Sequence, residues 1–282
     1  MNQLQGHIPV ELTALSNLQI LNLSVNQLTG TLPEQLGKLT KLTSLDVSTN
    51  QLSGTLPTSL GQLTKLNELI LDRNQFSNAI PQSLNQLVSL KNLSLTSNKF
   101  NEFLADSLEK LTGLSTINIY SNNLTFEDLE DKTDLSDRYF YYSPQNTIGQ
   151  KMVVSVDSGA NYTLDITCGG SVNHYQWFFN NEPFSEISQK SSYRLTDIRK
   201  ANTGEYHCHI TNDRIPDLII ESEPIIIQFT PAGEYAPTDI LLTNATIDEN
   251  LPVGSLVGTF TTEDEDNGES HFYTLADGDG AT

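Results

Sequence analysis

Apolar positions in the first half of the chain fall on a fixed grid. Leu18, Leu21 and Leu23 are followed 24 residues later by Leu42, Leu45 and Val47, then by Leu66, Leu69 and Leu71, by Leu90, Leu93 and Leu95, and by Leu114, Ile117 and Ile119. Asn26, Asn50, Asn74, Asn98 and Asn122 keep the same interval. The L-x-L segment of each unit alternates apolar and polar, which predicts a short strand buried on one face. An exact period of this length marks a solenoid, in which each unit buries its apolar face only by stacking on its neighbours. Gly30 and Gly54 allow a tight bend, and Pro33, Pro57 and Pro81 end the pairing before Leu36, Leu60 and Leu84 lead the next coil inward.

The grid decays late. Asn78 and Glu102 stand in the glycine slot and Ala105 in the proline slot, so the last units are expected to lose their second strand and approach a cap. The array runs over residues 1–143. It opens in the middle of a unit, with Leu4, Gly6, Ile8 and Pro9 in the slots of Leu28, Gly30, Leu32 and Pro33. That start predicts a piece of a longer protein, with any export signal upstream. Near its end, Glu127, Asp128, Glu130, Asp131, Asp134 and Asp137 form an acidic segment, expected as a solvated cap or linker rather than a cation site. Tyr139, Phe140, Tyr141 and Tyr142 follow, expected as an apolar lid on the solenoid core rather than a binding patch.

Over residues 144–230 the period changes to two. Tyr162, Leu164, Ile166 and Cys168 alternate, as do Tyr175, Trp177 and Phe179, and then Tyr206, Cys208 and Ile210. His207 and His209 flank Cys208 and so share the opposite face of that strand. They are expected to face solvent, since no third metal ligand stands near them in the sequence. Residues 231–282 form a third segment, acidic throughout.

Charge narrows the partners. The chain of 282 residues carries a formal charge of −20 with a pI near 4.4. That excludes nucleic acid and anionic lipid as main partners, because both require basic patches. From Ile215 onward there is no Lys or Arg. No apolar run is long enough to insert directly into a bilayer. No G-x-S-x-G, H-E-x-x-H or phosphate-cradling glycine loop occurs, so the chain is expected not to be an enzyme.

Three resemblances follow from these motifs. The repeated L-x-x-L-x-L-x-x-N-x-L-x-G-x-L/I-P pattern resembles the leucine-rich repeat family in its 24-residue, plant-receptor form. That family binds partners on its concave face. The likeness implies ligand contacts from Asp46, Ile70, Asp72, Arg73, Lys91 and Tyr120, although a set so polar could equally be solvated scaffold. The order Cys168, Trp177, Cys208, with Tyr206 two residues before the second cysteine, resembles the immunoglobulin-like β-sandwich. That likeness implies a Cys168–Cys208 disulfide, with two buried thiols as the alternative. The pieces Ala236-Pro237, Asp248-Glu249-Asn250, Gly254 and Asp264-Glu265-Asp266 resemble the first half of a cadherin repeat. In that family such residues bind calcium, which implies Glu249, Asp264 and Asp266 here. The later motifs that would complete the site are missing, so Ca2+ is an expectation for the parent protein.

The expected fold is therefore multidomain and mainly β: a leucine-rich repeat solenoid, an immunoglobulin-like sandwich and a partial cadherin-like sandwich. The expected function is a secreted or cell-surface binding and adhesion module for a protein or glycan ligand. Two other readings remain open, a non-catalytic arm of an exported enzyme such as a polysaccharide-degrading one, and a ligand-sensing receptor ectodomain.

Overall fold

The computed structural model describes residues 3–103, 108, 111–130, 139–229, 239–242 and 259–263. The chain divides into two compact units, Met1–Gln228 and Phe229–Thr282. In chain order the first part contains β1 (Gln5–Gly6), β2 (Ile20–Asn22), β3 (Gln27–Gly30), β4 (Ser44–Asp46), β5 (Gln51–Gly54), β6 (Glu68–Ile70), β7 (Gln75–Ile80), β8 (Asn92–Ser94), β9 (Lys99–Phe103) and β10 (Thr116–Asn118). A short helix α1 (Phe126–Leu129) and β11 (Tyr139–Tyr141) follow.

Each coil gives one strand to each of two parallel sheets. The first runs β11-β10-β8-β6-β4-β2 and the second β1-β3-β5-β7-β9. Between the sheets the grid leucines are sealed: Leu42, Leu45, Leu66, Leu69, Leu90, Leu93 and Ile117 have no exposed surface. Parallel strands so short bury little on their own, and the core exists only because the coils stack. Pro33, Pro57 and Pro81 hold φ between −65° and −71°, and each opens a five-residue 3-10 turn that carries a leucine inward.

The asparagines tie one coil to the next. The Asn98 amide nitrogen donates to the carbonyls of Leu95 and Thr96 in its own coil and of Leu71 in the coil before, each at 3.1 Å. Its oxygen accepts from the Phe76 amide at 3.0 Å. Asn74 and Asn122 repeat this arrangement. Asn26 is half-buried: its oxygen accepts from the Leu4 amide at 3.0 Å, but its amide nitrogen reaches the carbonyls of Leu23 and Ser24 within its own coil and no carbonyl of a neighbouring coil among the described residues. The ladder continues past its last asparagine. Gln145 donates to the Ile119 carbonyl at 3.2 Å and to that of Tyr142, while its oxygen accepts from the Asn122 amide at 3.1 Å.

The late units depart from expectation in detail. β7 and β9 lengthen rather than disappear, and their register slips between Asn78 and Ala79, where Asn78 sits at φ 64° in the slot of the earlier glycines. After Asn122, α1 takes the place of the second strand, with Phe126 and Leu129 fully buried. Tyr139–Tyr141 is not a lid. It pairs with β10 as the last strand of the first sheet.

The chain after the solenoid contains β12 (Met152–Val156), β13 (Tyr162–Asp165), β14 (Asn173–Phe179), β15 (Glu182–Pro183), β16 (Ser192–Leu195), β17 (Gly204–Asn212), β18 (Ile220–Glu221) and β19 (Ile225–Phe229), the first unit ending within β19. One sheet runs β12-β19-β17-β14-β15 with β18 also on β17, and the other pairs β13 with β16. Alternate residues turn inward: Tyr175 and Trp177 on β14, Tyr206, Cys208 and Ile210 on β17. Trp177 lies in register with Cys208. The Tyr206 hydroxyl donates to the Asn202 carbonyl at 2.7 Å. In the second unit β20 (Asp239–Leu242) pairs antiparallel with β21 (Phe260–Glu263).

The ladder sets a graded expectation for stability. Asn98→Ala strands several sealed backbone groups and is expected to lower the unfolding free energy by about 3 kcal/mol, whereas Asn26→Ala is expected to cost about 1 kcal/mol. Urea denaturation followed by circular dichroism measures both. Equal, small losses would show that the asparagines are not what holds the coils.

Candidate concave-face interface

The open face of the first sheet is built row by row. Across the strands Ile20, Ser44, Glu68, Asn92, Thr116 and Tyr139 stand in one register, and Asn22, Asp46, Ile70, Ser94, Asn118 and Tyr141 in the next. Strands about 4.8 Å apart make this face roughly 24 Å wide. Its residues alternate with the buried leucines, so their outward direction follows from the strand period.

The middle of the face is a closed polar mesh. One Asp46 oxygen accepts from the Ser48 amide at 2.9 Å and its hydroxyl at 2.7 Å, and the other accepts from Asn22 at 3.3 Å. Asp72 accepts from the Thr96 amide and the Ser94 hydroxyl, both at 2.8 Å. Glu68 accepts from the Ser44 hydroxyl at 3.1 Å and from Asn92 at 3.4 Å. Each carboxylate therefore bridges coils.

Of the six residues expected to contact ligand, the structure places all on or beside this sheet. Asp46 and Asp72 are half-buried and committed to the mesh, and Ile70 is half-buried between them. Arg73 and Lys91 are exposed. Arg73 lies at φ 52°, one of a series with Val25, Thr49, Ser97 and Ser121 at φ 53–57°. Non-glycine residues rarely adopt this conformation. Here hydrogen bonds to the next coil hold it, among them Arg73 N–H to the Thr96 carbonyl at 2.9 Å and Thr49 N–H to that of Asp72 at 2.8 Å.

Tyr120 is an expected member of the aromatic end of the face, whereas Tyr139 and Tyr141, expected as part of a lid, join it from the last strand. Tyr120, 37% exposed, is joined by Tyr139 at 68% and Tyr141 at 51%. Phe140 between them turns inward and lies 5.2 Å from the Tyr142 ring. The alternation of Tyr-Phe-Tyr would have revealed this, had the segment been taken as one more strand.

Several other expected sites change. Of the acidic segment, Glu127 is exposed, Asp128 and Glu130 are not simply solvated, and Asp131, Asp134 and Asp137 lie outside the described residues. Asp128 caps α1 by accepting from the Thr125 amide at 2.8 Å and pins the Phe103 amide at 3.0 Å, while Glu130 is 8% exposed. Cys168 and Cys208 are free thiols rather than a disulfide. Cys168 falls beyond the paired part of β13, in a turn drawn against α1, where Gly169 and Gly170 approach Thr125 and Phe126. Burial pushes both thiols up to about 12. Glu249, Asp264 and Asp266 lie outside the described residues. Among the described residues no three His, Cys, Asp or Glu side chains are placed to hold a metal ion. His207 and His209 flank Phe178 on the outer face of their sheet, at ring distances of 5.1 and 4.1 Å. Burial holds His209 below its ordinary value, against the pull of Glu221 3.5 Å away.

The solenoid, its ladder and its open face define a repeat protein of the stacked-coil class. A family model described as a leucine-rich repeat region matches residues 2–143, about half of the chain, and the chain belongs to that family. Similar solved structures include the plant peptide hormone receptor RGFR1 in complex with RGF2, at 31% identity over 55% of this chain and 24% of that one, with a TM-score of 0.49. A TDR receptor matches at 32% identity over 54% and 26%, with a TM-score of 0.49. The Arabidopsis receptor kinase HAESA, in complex with the peptide hormone IDA and the co-receptor SERK1, matches at 30% identity over 51% and 24%, with a TM-score of 0.44. The chain thus spans about a quarter of the length of these receptors. No curated protein matches it. No helix among the described residues is long and apolar enough to cross a membrane.

The thiols give a direct check on the second β-part. With no bridge and with thiolate formation suppressed by burial, iodoacetamide at pH 8 is expected to label neither cysteine in the native state and both after denaturation without reductant. Mass spectrometry reads the result. Failure to label the unreduced, denatured chain would instead demonstrate a disulfide.

Proposed function

We infer that the chain is a non-catalytic binding module of a secreted or cell-surface protein, and that its ligand is a protein held on the open face of the first solenoid sheet. The observation that carries this reading is the cluster of Tyr120, Tyr139 and Tyr141, exposed together at one end of a face that is otherwise polar except for Ile20 and Ile70. Tyrosine offers a large amphipathic contact at low entropic cost and is enriched where binding energy concentrates. The adjacent mesh supports the same reading, because its carboxylates are already oriented and lose little freedom when a partner docks.

In this reading the second β-part is an immunoglobulin-like domain. Buried Trp177 beside Cys208 and the Tyr206 hydroxyl turned back to Asn202 support it. The two domains then present the ligand face as part of a longer adhesive or receptor protein.

Binding of the full chain to protein and glycan arrays, followed by titration of any hit, tests the inference. Tyr139→Ala with Tyr141→Ala is expected to weaken a protein ligand by about 30-fold, the loss typical of a hot-spot pair. Undiminished binding by the double variant, or hits confined to glycans, would overturn it.

A further inference from the structure

One buried charge belongs to neither the solenoid core nor its ligand face. Glu130 follows α1, whose Phe126 and Leu129 are sealed into the end of the solenoid. Its side chain leaves the solenoid and enters the second β-part. Oε1 accepts from the Ser171 amide at 2.6 Å and from the Asn212 amide nitrogen at 2.7 Å, and Oε2 accepts from the Ser171 hydroxyl at 2.6 Å. The Arg214 guanidinium stands 3.8 Å from Oε2. Asn212 also donates to Asn173, and Asn173 donates in turn to the carbonyls of Cys168 and Gly169. The contact is close on both sides. A Cβ at Gly170, which sits at φ +125°, would come within 2.7 Å of the Phe126 Cβ and 2.9 Å of Glu130 Oε1.

A carboxylate taken out of water is tolerated only when hydrogen bonds replace its hydration, and charge-assisted bonds are the strong ones. Among the described residues, all the replacement donors for Glu130 come from the other part of the chain. We propose that Glu130 is an ionic latch that locks the solenoid to the following β-part as one rigid body, and that its protonation releases the joint. The joint thereby fixes the angle at which the tyrosine end of the ligand face meets the second part, and acid makes that angle variable.

The surroundings agree on the sign. Burial alone would favour the neutral acid, but the donors on Ser171 and Asn212 and the charge of Arg214 outweigh it and hold the carboxyl below its ordinary value of 4.5. Glu127 and Asp128 on its own helix add negative charge. Asp128 is already committed to the Thr125 and Phe103 amides. In the facing turn the Cys168 thiol is neutral at these pH values, and Asp213 beside Arg214 is paired with His174 at 3.1 Å. A carboxyl depressed in the folded state stabilises the joint above its ordinary value, and that contribution fades as pH falls through the depressed one.

Nitrogen-15 relaxation of the full chain tests the latch. At pH 7 the amides of residues 20–125 and 152–228 are expected to report one common correlation time. Glu130→Gln, which keeps one acceptor oxygen but not the charge, is expected to lose it: the second group tumbles faster while the solenoid spectrum is unchanged, and the Ser171 amide exchanges at least about tenfold faster. Wild-type protein taken below pH 4.5 should move toward the variant, and the variant should show no further change. Should Glu130→Gln fail to fold, Ser171→Ala removes a single donor and is expected to raise the pH at which the joint loosens. Glu11→Gln, an exposed change far from the joint, serves as the control. Unaltered tumbling in Glu130→Gln, or the same acid response in that variant as in wild type, would overturn the latch.

Discussion

The asparagine ladder is the constraint on which the first unit depends. The coils of this solenoid have strands of only two to six residues, too short to be stable as an isolated sheet. Each strand-to-turn junction leaves backbone groups that a stacked coil cannot all satisfy with its own backbone. Asn50, Asn74, Asn98 and Asn122 each bond carbonyls of two successive coils and take an amide from the coil before. Buried backbone polar groups are costly when unpaired, so the position tolerates little but asparagine. The same ladder allows the non-glycine turns at Val25, Thr49, Arg73, Ser97 and Ser121, because the cross-coil bonds that follow each rung over-determine them.

Regularity decided what the sequence revealed. The strands, the proline-led turns and the sealed leucines follow from a period that repeats five times, and each repeat confirms the others. Where the period fails, reading became unreliable for physical reasons. Gln145 carries the ladder onward with a longer side chain and a spacing of 23 rather than 24 residues, so the grid missed it. Tyr139 and Tyr141 looked like a hydrophobic cover because four aromatics stood in a row, yet the strand period exposes two of them. Glu130 looked like one acid among several in a solvated run. Its donors on Ser171 and Asn212 lie 41 and 82 residues away, and no local pattern carries such a contact. The cysteines fit a familiar spacing, but the docking of the 168–171 turn on α1 draws Cys168 out of the paired strand.

The candidate ligand face combines two kinds of surface. Its centre is a hydrogen-bonded mesh in which Asp46, Glu68 and Asp72 serve the fold first and leave only remaining lone pairs for a partner. Its far end is aromatic and uncommitted, with the hydroxyls of Tyr120, Tyr139 and Tyr141 engaged in no hydrogen bond among the described residues. That end is also the one nearest the chain's passage into the second β-part, through Gln145, Asn146 and the backbone bond from Ile148 to the Glu221 carbonyl at 2.9 Å. The candidate ligand face and the joint thus lie in one region of the first unit.

Native-state hydrogen exchange in rising urea tests the central claim, that one hydrogen-bonded spine runs from the coils through the joint into the second part. The account predicts that the amides of Phe76, Phe100, Ile148 and Cys208 converge on a common opening free energy before global unfolding. Separate, parallel openings, with Ile148 and Cys208 exchanging well below Phe76 and Phe100 at every urea concentration, would contradict it.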